Sequence, residues 1–376
     1  QLYAKSGLQF MPFNTIYQLY AMVKAGSPKL RAAETLLLTP DLFVYMLTNK
    51  RSCEFTMATT TQLYNPKTRS WNTPLLDQLQ IPKSLFLPPV QPGTKIGPLS
   101  EEVCRELNVP ALEAIAVATH DTESAVAAIP AGDEPFVYLV CGTWSLLGTE
   151  RTEPLITSET LRYDFSNEGG AGDTFQLLKN IMGLWILQEC KREWDERALH
   201  DNPLTWSEVV ESAKQAEPFR CLINPDDLYF YAPGNMEERV KTYCSKSGQP
   251  IPQTPGEVTR CVLESLALRY RHAVEQLEDV TGMRYSRFHM VGGGVQNRLL
   301  CQFTANALRR EVWAGPVEAS AIGNLTVQLM SQGYCENLRA ARQLVADSFD
   351  VTVYKPDQPE RWEQSYQSYL KLVSGE

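Results

Sequence analysis

Phe288-His289-Met290-Val291-Gly292-Gly293-Gly294-Val295-Gln296-Asn297 is the stretch that decides the architecture. Phe288 to Met290 reads as a short strand, and Asn297 to Leu308 carries apolar residues at helical spacing. Val312 to Ala314 and Glu318 to Met330 then repeat the strand–helix alternation. Strands alternating with helices specify an α/β architecture. Three glycines between strand and helix either admit a flat or phosphorylated ligand close to the backbone or simply make a tight turn. The spacing is not GxGxxG, so a Rossmann dinucleotide site is a poor fit.

Working outward, Val258 to Val280 reads as a long helix, apolar on most sides and stopped by Gly282, which predicts deep burial. Phe175 to Trp194 reads as a helix because Leu177, Ile181, Leu184 and Trp185 recur at helical spacing. That places Asn180 and Gln188 on one face. Phe136 to Cys141 and Ser145 to Thr149 are strands about the turn Gly142-Thr143-Trp144, a hairpin signal. The best boundary is Ile129-Pro130-Ala131-Gly132-Asp133-Glu134-Pro135, giving domains 1–130 and 131–376. In the first, Leu36-Leu37-Leu38 reads as a buried strand running into a helix over Leu42 to Leu47, with Asn49 as its left-handed cap. Ile81 to Pro98 reads as a surface loop.

The 376 residues are enough for two cores, and 43% hydrophobic with 21% charged is a globular composition. Every apolar run is interrupted well short of a membrane span. A net charge of −9 argues against a nucleic-acid surface. Nine cysteines without CxxC or His/Cys ligand spacing argue against zinc and fit reduced thiols in a cytoplasm. Cys244 and Cys261 either pair or stay free. The opening QLYAKSGLQF has neither a signal peptide's pattern nor a starting Met, so the N-terminus is expected upstream.

Several constellations can carry chemistry. Ala114 to Ala118 delivers Thr119-His120-Asp121-Thr122 into a small-residue helix, Ser124 to Ala128. Asp121 there either caps the helix or, kept ionised, accepts the proton of an attacking hydroxyl. Gly142-Thr143-Trp144-Ser145 offers hydroxyls and turn N–H groups suited to phosphate, or is an ordinary hairpin turn. Asn167-Glu168-Gly169-Gly170 precedes the segment carrying Asn180 and Gln188. Gly315-Pro316-Val317-Glu318-Ala319-Ser320-Ala321-Ile322-Gly323 opens a helix with small residues, on which another helix or a nucleotide packs closely.

The order of these motifs is specific: strand-His-Asp-Thr, Gly-Thr-Trp-Ser, Asn-Glu-Gly-Gly, Gly-Gly-Gly-x-x-Asn, then Glu-Ala-Ser-Ala-x-Gly. It resembles the FGGY carbohydrate kinases from Lys5 to about Gln332, and Lys5 to Thr15, Ala58 to Leu63 and Lys179 to Trp185 are similar to one branch of them. The resemblance implies two actin-like (ribonuclease H-like) ATPase domains around a cleft, sugar mainly on the first and ATP mainly on the second. It implies Asp121 as catalytic base toward a ketose hydroxyl, with His120, Thr122 and Asn180 contacting the sugar. Thr143, Gln188 and Gly293 match ATP contacts, and Mg²⁺ is expected on the phosphates without a dedicated protein cage. Asn49 stands where many members have Gly. The family's opening Asp-x-Gly phosphate turn appears nowhere, so the first domain is expected to be truncated at its N-terminus. A kinase for another sugar, or a non-catalytic binding protein of the same fold, remains open at this point.

Overall fold

The computed structural model describes residues 1–198 and 203–374. The chain forms two compact units, each assembled from discontinuous stretches. The first comprises Gln1–Glu134, Gly148–Lys179 and Glu318–Phe349, and the second Pro135–Leu147, Asn180–Val317 and Asp350–Glu376.

The second unit contains the decisive stretch. Its strands lie in the order Thr352–Tyr354, Val312–Ala314, Arg287–Val291, Phe136–Cys141 and the opening of Trp144–Arg151. Arg287–Val291 runs parallel to both Val312–Ala314 and Phe136–Cys141, so the glycines after Val291 and the turn after Cys141 emerge at the same edge. Pro255–Thr281 is the long helix, starting at Thr254, whose side chain accepts from the Glu257 N–H, and ending at Gly282 in the left-handed region (φ 65). At about 1.5 Å per residue such a helix is roughly 40 Å long, and seventeen of its residues are buried. Its buried Arg269 is neutralised by Asp226, Nε to Oδ2 at 2.6 Å. Cys221, Cys244 and Cys261 are buried free thiols whose sulfurs lie within 4.8 Å of one another. The third thiol is contributed from a loop that sequence spacing did not connect to the other two.

The first unit packs helices on a separate core of Ile16, Leu19, Leu63, Leu76 and Leu85. Its strands, Gly148–Arg151, Phe175–Lys179 and Ser166–Gly169, are neighbours in that order. The helix Thr39–Thr48 ends at Asn49 in the expected left-handed cap (φ 58).

Five expectations need correction. Ile81 to Pro98 is not a plain surface loop: Ile81 and Leu85 are buried in the core and Lys95–Pro98 is a strand. Phe175 to Trp194 is not one helix: Phe175–Met182 is a strand and Trp185–Arg197 the helix, so Asn180 and Gln188 do not share a helical face. Asn167-Glu168-Gly169 lies on the strand Ser166–Gly169, followed by that second strand rather than by a helix. Leu36-Leu37-Leu38 is half-buried and forms no strand; Leu36 N–H donates instead to Leu85 O. The strand before His120 is only Glu113–Ile115, in a two-stranded sheet with Lys95–Pro98. His120 and Asp121 are therefore reached through four residues of non-strand chain, Ala116 to Thr119, not from the carboxyl end of a main-sheet strand.

Candidate active site

In the first unit Asp121 is the first residue of the helix Asp121–Ala127, with His120 at the N-cap. Its Oδ1 accepts from Thr122 N–H at 2.7 Å, yet its side chain is 83% exposed. It caps the turn and still presents a carboxylate to solvent, in an open depression of about 710 Å³ lined also by Thr119, Phe43, Ser320 and Leu325. Thr122 itself is buried.

The loop bearing these residues is gripped from below. Glu54 is almost fully buried, and its Oε2 accepts from Thr119 N–H (3.2 Å) and Thr119 Oγ1 (2.6 Å). The same carboxylate caps the helix Phe55–Thr59 through Thr56 N–H, Met57 N–H and Thr56 Oγ1. That hydroxyl oxygen in turn accepts from His120 N–H. Burial pushes the Glu54 carboxyl up, and these donors oppose the shift.

From the other side the helix Ala319–Ser331 crosses the Asp121 helix at Gly323. A Cβ on Gly323 would stand 2.5 Å from the carbonyl carbon of Ser124 and on top of its oxygen. Ser320 Oγ donates to Asp121 O at 2.9 Å. Ser320 and Gly323 thus serve helix–helix contact, one of the two alternatives the sequence left open for this segment.

His120 turns its ring inward. Nδ1 lies 3.3 Å from Glu168 Oε2 and 3.9 Å from Glu123 Oε1, while Nε2 faces Asp121 Oδ1 at 3.7 Å. Burial pushes both Glu123 and Glu168 carboxyls up; the neighbouring carboxylates add to this at Glu123, and His120 opposes it at Glu168.

In the second unit the turn Gly142-Thr143-Trp144 docks on the start of the helix Trp185–Arg197. Leu184 N–H donates to Gly142 O and Trp185 N–H to Thr143 O. Gly183 permits this: a Cβ there would lie 2.7 Å from Trp144 C. Thr143 is left exposed and Gln188 half-exposed, one turn into that helix. Asn180 is half-buried near the end of its strand, and two residues on Met182 N–H is held by Asp226 Oδ1.

The three glycines separate by role. Gly292 has φ 90, and Gly294 leaves no room for a Cβ against Cys141 O, 2.8 Å away. Gly293 is exposed, and no heavy atom lies within 4 Å of where its Cβ would stand. The turn requires Gly292 and Gly294; Gly293 has open space that a ligand can use.

Residues 137–332 match the C-terminal domain of the FGGY family of carbohydrate kinases, and residues 1–128 its N-terminal domain. The chain belongs to the FGGY family of carbohydrate kinases. Among curated relatives of this FGGY chain, a rhamnulokinase of Bacteroides thetaiotaomicron is 43% identical over 99% of it and 76% of that relative. A rhamnulokinase of Bacillus subtilis is 38% identical over 99% of the chain and 76% of that relative. Among solved structures, xylulose kinase from Lactobacillus acidophilus matches with TM-score 0.78 at 17% identity, covering all of this chain and 74% of that one. Gluconate kinase from the same organism matches with TM-score 0.77 at 19% identity, over the whole chain and 74% of that one. The fold is therefore the mixed α/β fold of the two-domain FGGY sugar kinases, and family membership makes a sugar and ATP the small-molecule substrates. Among the described residues no helix is long and apolar enough to cross a membrane.

Sequence reasoning singled out Asp121, His120, Thr143 and Gly293 but passed over Glu54 and Glu123, and quoted Glu168 only as part of a motif. A Glu inside the small apolar run Thr122 to Ala128 was the available signal for Glu123, since a helix that small and apolar is buried all round.

Proposed function

We propose that this protein transfers the γ-phosphoryl group of ATP to the 1-hydroxyl of L-rhamnulose, giving L-rhamnulose 1-phosphate. The observation that carries the chemistry is Asp121: an exposed carboxylate whose Oδ1 is fixed by a backbone N–H, on a loop clamped by Glu54. Its unengaged oxygen takes the proton as the hydroxyl attacks phosphorus, the role a positioned general base fills in such transfers. The close match to rhamnulokinases supports the choice of sugar.

We assign His120, Thr122 and Asn180 to the sugar site, Thr122 by holding the Asp121 carboxylate through its N–H, because its side chain is buried. We assign Thr143, Gln188 and Gly293 to ATP, residues 1–130 chiefly to sugar binding and 131–376 chiefly to nucleotide binding. Among the described residues Asp121 is the only carboxylate lining its depression, which fits a Mg²⁺ held by the nucleotide's phosphates and their waters rather than by a protein cage. Bound there, the ion neutralises charge on the phosphates.

The test is coupled ADP release with L-rhamnulose, L-fuculose and D-xylulose. At least a tenfold preference in kcat/KM for L-rhamnulose is expected, about 1.4 kcal/mol of discrimination. A stronger response to another ketose would replace the sugar; no ADP release with any sugar would remove the kinase assignment.

A further inference from the structure

His120 sits between two kinds of carboxyl group. On its Nε2 side is Asp121, open to solvent. On its Nδ1 side are Glu168 and Glu123, with side-chain exposures of 7% and 0%. Among the described residues His120 Nδ1, Glu168 Oε2 and both Glu123 oxygens are buried without a hydrogen-bond partner. Such groups are costly unless a donor meets an acceptor. Rotation of the ring by a small angle, closing the 3.3 Å between Nδ1 and Glu168 Oε2, pairs the two that lie nearest.

The surroundings are acidic on every side. Glu168 comes from the strand Ser166–Gly169, Glu123 and Asp121 from the helix Asp121–Ala127, and Glu54 from the cap of the helix Phe55–Thr59. Glu150 reaches in from Trp144–Arg151 but is held by Arg342, with Nη1 and Nη2 at 2.9 and 2.8 Å. Glu54 is saturated by its own donors. Glu168 and Glu123 are thus the carboxyls left over, and the His120 ring lies within reach of both, Nδ1 3.3 Å from Glu168 Oε2 and 3.9 Å from Glu123 Oε1.

We infer that Glu168, backed by Glu123, is a positioning residue that keeps the His120 proton on Nδ1 and leaves Nε2 facing the acceptor side beside Asp121. In a neutral imidazole the nitrogen that is not the donor is an acceptor, and the partner of one nitrogen sets the role of the other. Nε2 and Asp121 Oδ1, 3.7 Å apart, then form two adjacent acceptors. That spacing matches two neighbouring hydroxyls of a polyol, one donating to each. The opposite tautomer would present an N–H to the sugar hydroxyl and leave the buried carboxyls facing a lone pair. The inference rests on the kinase reading above for its sugar, but not for its tautomer.

The experiment therefore has two arms. Long-range ¹H–¹⁵N correlation on ¹⁵N-histidine protein, with H120Q to assign the signal among four histidines, reads the tautomer without turnover. Nδ1–H is expected in the wild type, with a mixed or reversed tautomer in Glu168→Ala and a smaller change in Glu123→Gln. An Nε2–H tautomer in the wild type overturns the inference. So does selective broadening of His120 by Mn²⁺ without nucleotide, because a cation among His120, Glu123 and Glu168 would occupy the Nδ1 lone pair. In the kinetic arm Glu168→Ala should raise the sugar KM about tenfold, the worth of roughly one hydrogen bond, with the ATP KM unchanged. The double variant H120Q/E168A should lose no more than H120Q alone, since Glu168 acts through His120. Additive losses, or an equal rise in the ATP KM, overturn it. A wild type that phosphorylates no ketose would instead fail the kinase reading and leave the tautomer result standing.

Discussion

Thr119 Oγ1 donates a 2.6 Å hydrogen bond to Glu54 Oε2, joining the loop that ends in Asp121 to the cap of a helix 65 residues earlier. The contact makes one buried carboxylate responsible for two things: the start of the helix Phe55–Thr59 and the height at which His120 and Asp121 stand. Glu54→Gln replaces an acceptor oxygen by an amide N–H₂ facing donors from Thr119 and Met57. We expect a loss of about 2–3 kcal/mol in stability, the usual cost of buried donors left unmatched, and a fall in kcat/KM toward the sugar. Denaturant unfolding at constant m-value together with steady-state kinetics checks both. A variant of wild-type stability would show that water replaces the carboxylate at no cost.

Asp121→Asn keeps the shape and the bond from Thr122 N–H but removes the basic oxygen. A decrease in kcat of roughly 10²- to 10⁴-fold is expected, the usual contribution of a general base, with the ATP KM little changed. Near-normal turnover would leave Asp121 as a cap alone.

The glycines after Val291 offer a paired test. Gly294→Ala drives a Cβ into Cys141 and should destabilise the fold, whereas Gly293→Val meets nothing within 4 Å of its Cβ. Gly293→Val is therefore expected to melt like the wild type while its ATP affinity falls tenfold or more and sugar binding is retained. Calorimetry with each ligand reads this directly. An unchanged ATP affinity would show that the open space at Gly293 is not used by nucleotide.

The elements that could be read from sequence are those where period and punctuation agree. Val312–Ala314, the helix opened at Asn297 and the long helix ended by Gly282 came out within a few residues of the observed bounds. Phe175–Met182 failed for a physical reason. Nearly every residue of that strand is buried, so it shows no alternation, and Leu177, Ile181 and Leu184 fit a helix equally well. In the site, His120, Asp121 and the glycines were legible because they stand at a turn between elements. Glu54 was not, because an isolated Glu reads as a solvated charge. Only the fold brings Thr119 to it.

Stability should depend on pH through Asp41. It is 2% exposed, and burial pushes its carboxyl up to about 7 despite the bond it accepts from Glu54 N–H, with the Glu54 charge adding to the rise. An acid whose folded value lies above its unfolded one holds its proton in the native state after the unfolded chain has released it. Native stability therefore falls as pH rises from about 4 to about 7. Glu123 and Glu168, also raised by burial, act in the same direction. Asp41→Asn, which can still accept from Glu54 N–H, should flatten part of this slope. Urea midpoints across that window, compared between the two proteins, give the answer; parallel curves would remove Asp41 from the account.

Gly323→Ala tests whether the Asp121 helix is placed by backbone contact. The helix Ala319–Ser331 meets it with no side chain between, and the Cβ of an alanine would overlap the Ser124 carbonyl. That atom is backbone, so no rotamer change relieves the clash; the two helices must separate. Separation would also stretch the bond from Ser320 Oγ to Asp121 O and tilt the residue that carries the carboxylate. A misplacement on the order of 1 Å at a reacting group costs roughly 10²-fold in rate. Overpacking itself costs about 1–3 kcal/mol, small enough for the variant to be purified folded. The expected result is therefore a folded protein with kcat down about 10²-fold and ATP affinity near normal, because Thr143, Gln188 and Gly293 lie on other elements. Ser320→Ala separates the two contributions: it removes the hydrogen bond without the clash and should cost less than tenfold. If Gly323→Ala turned over like the wild type, the close helix contact would be packing without consequence for Asp121.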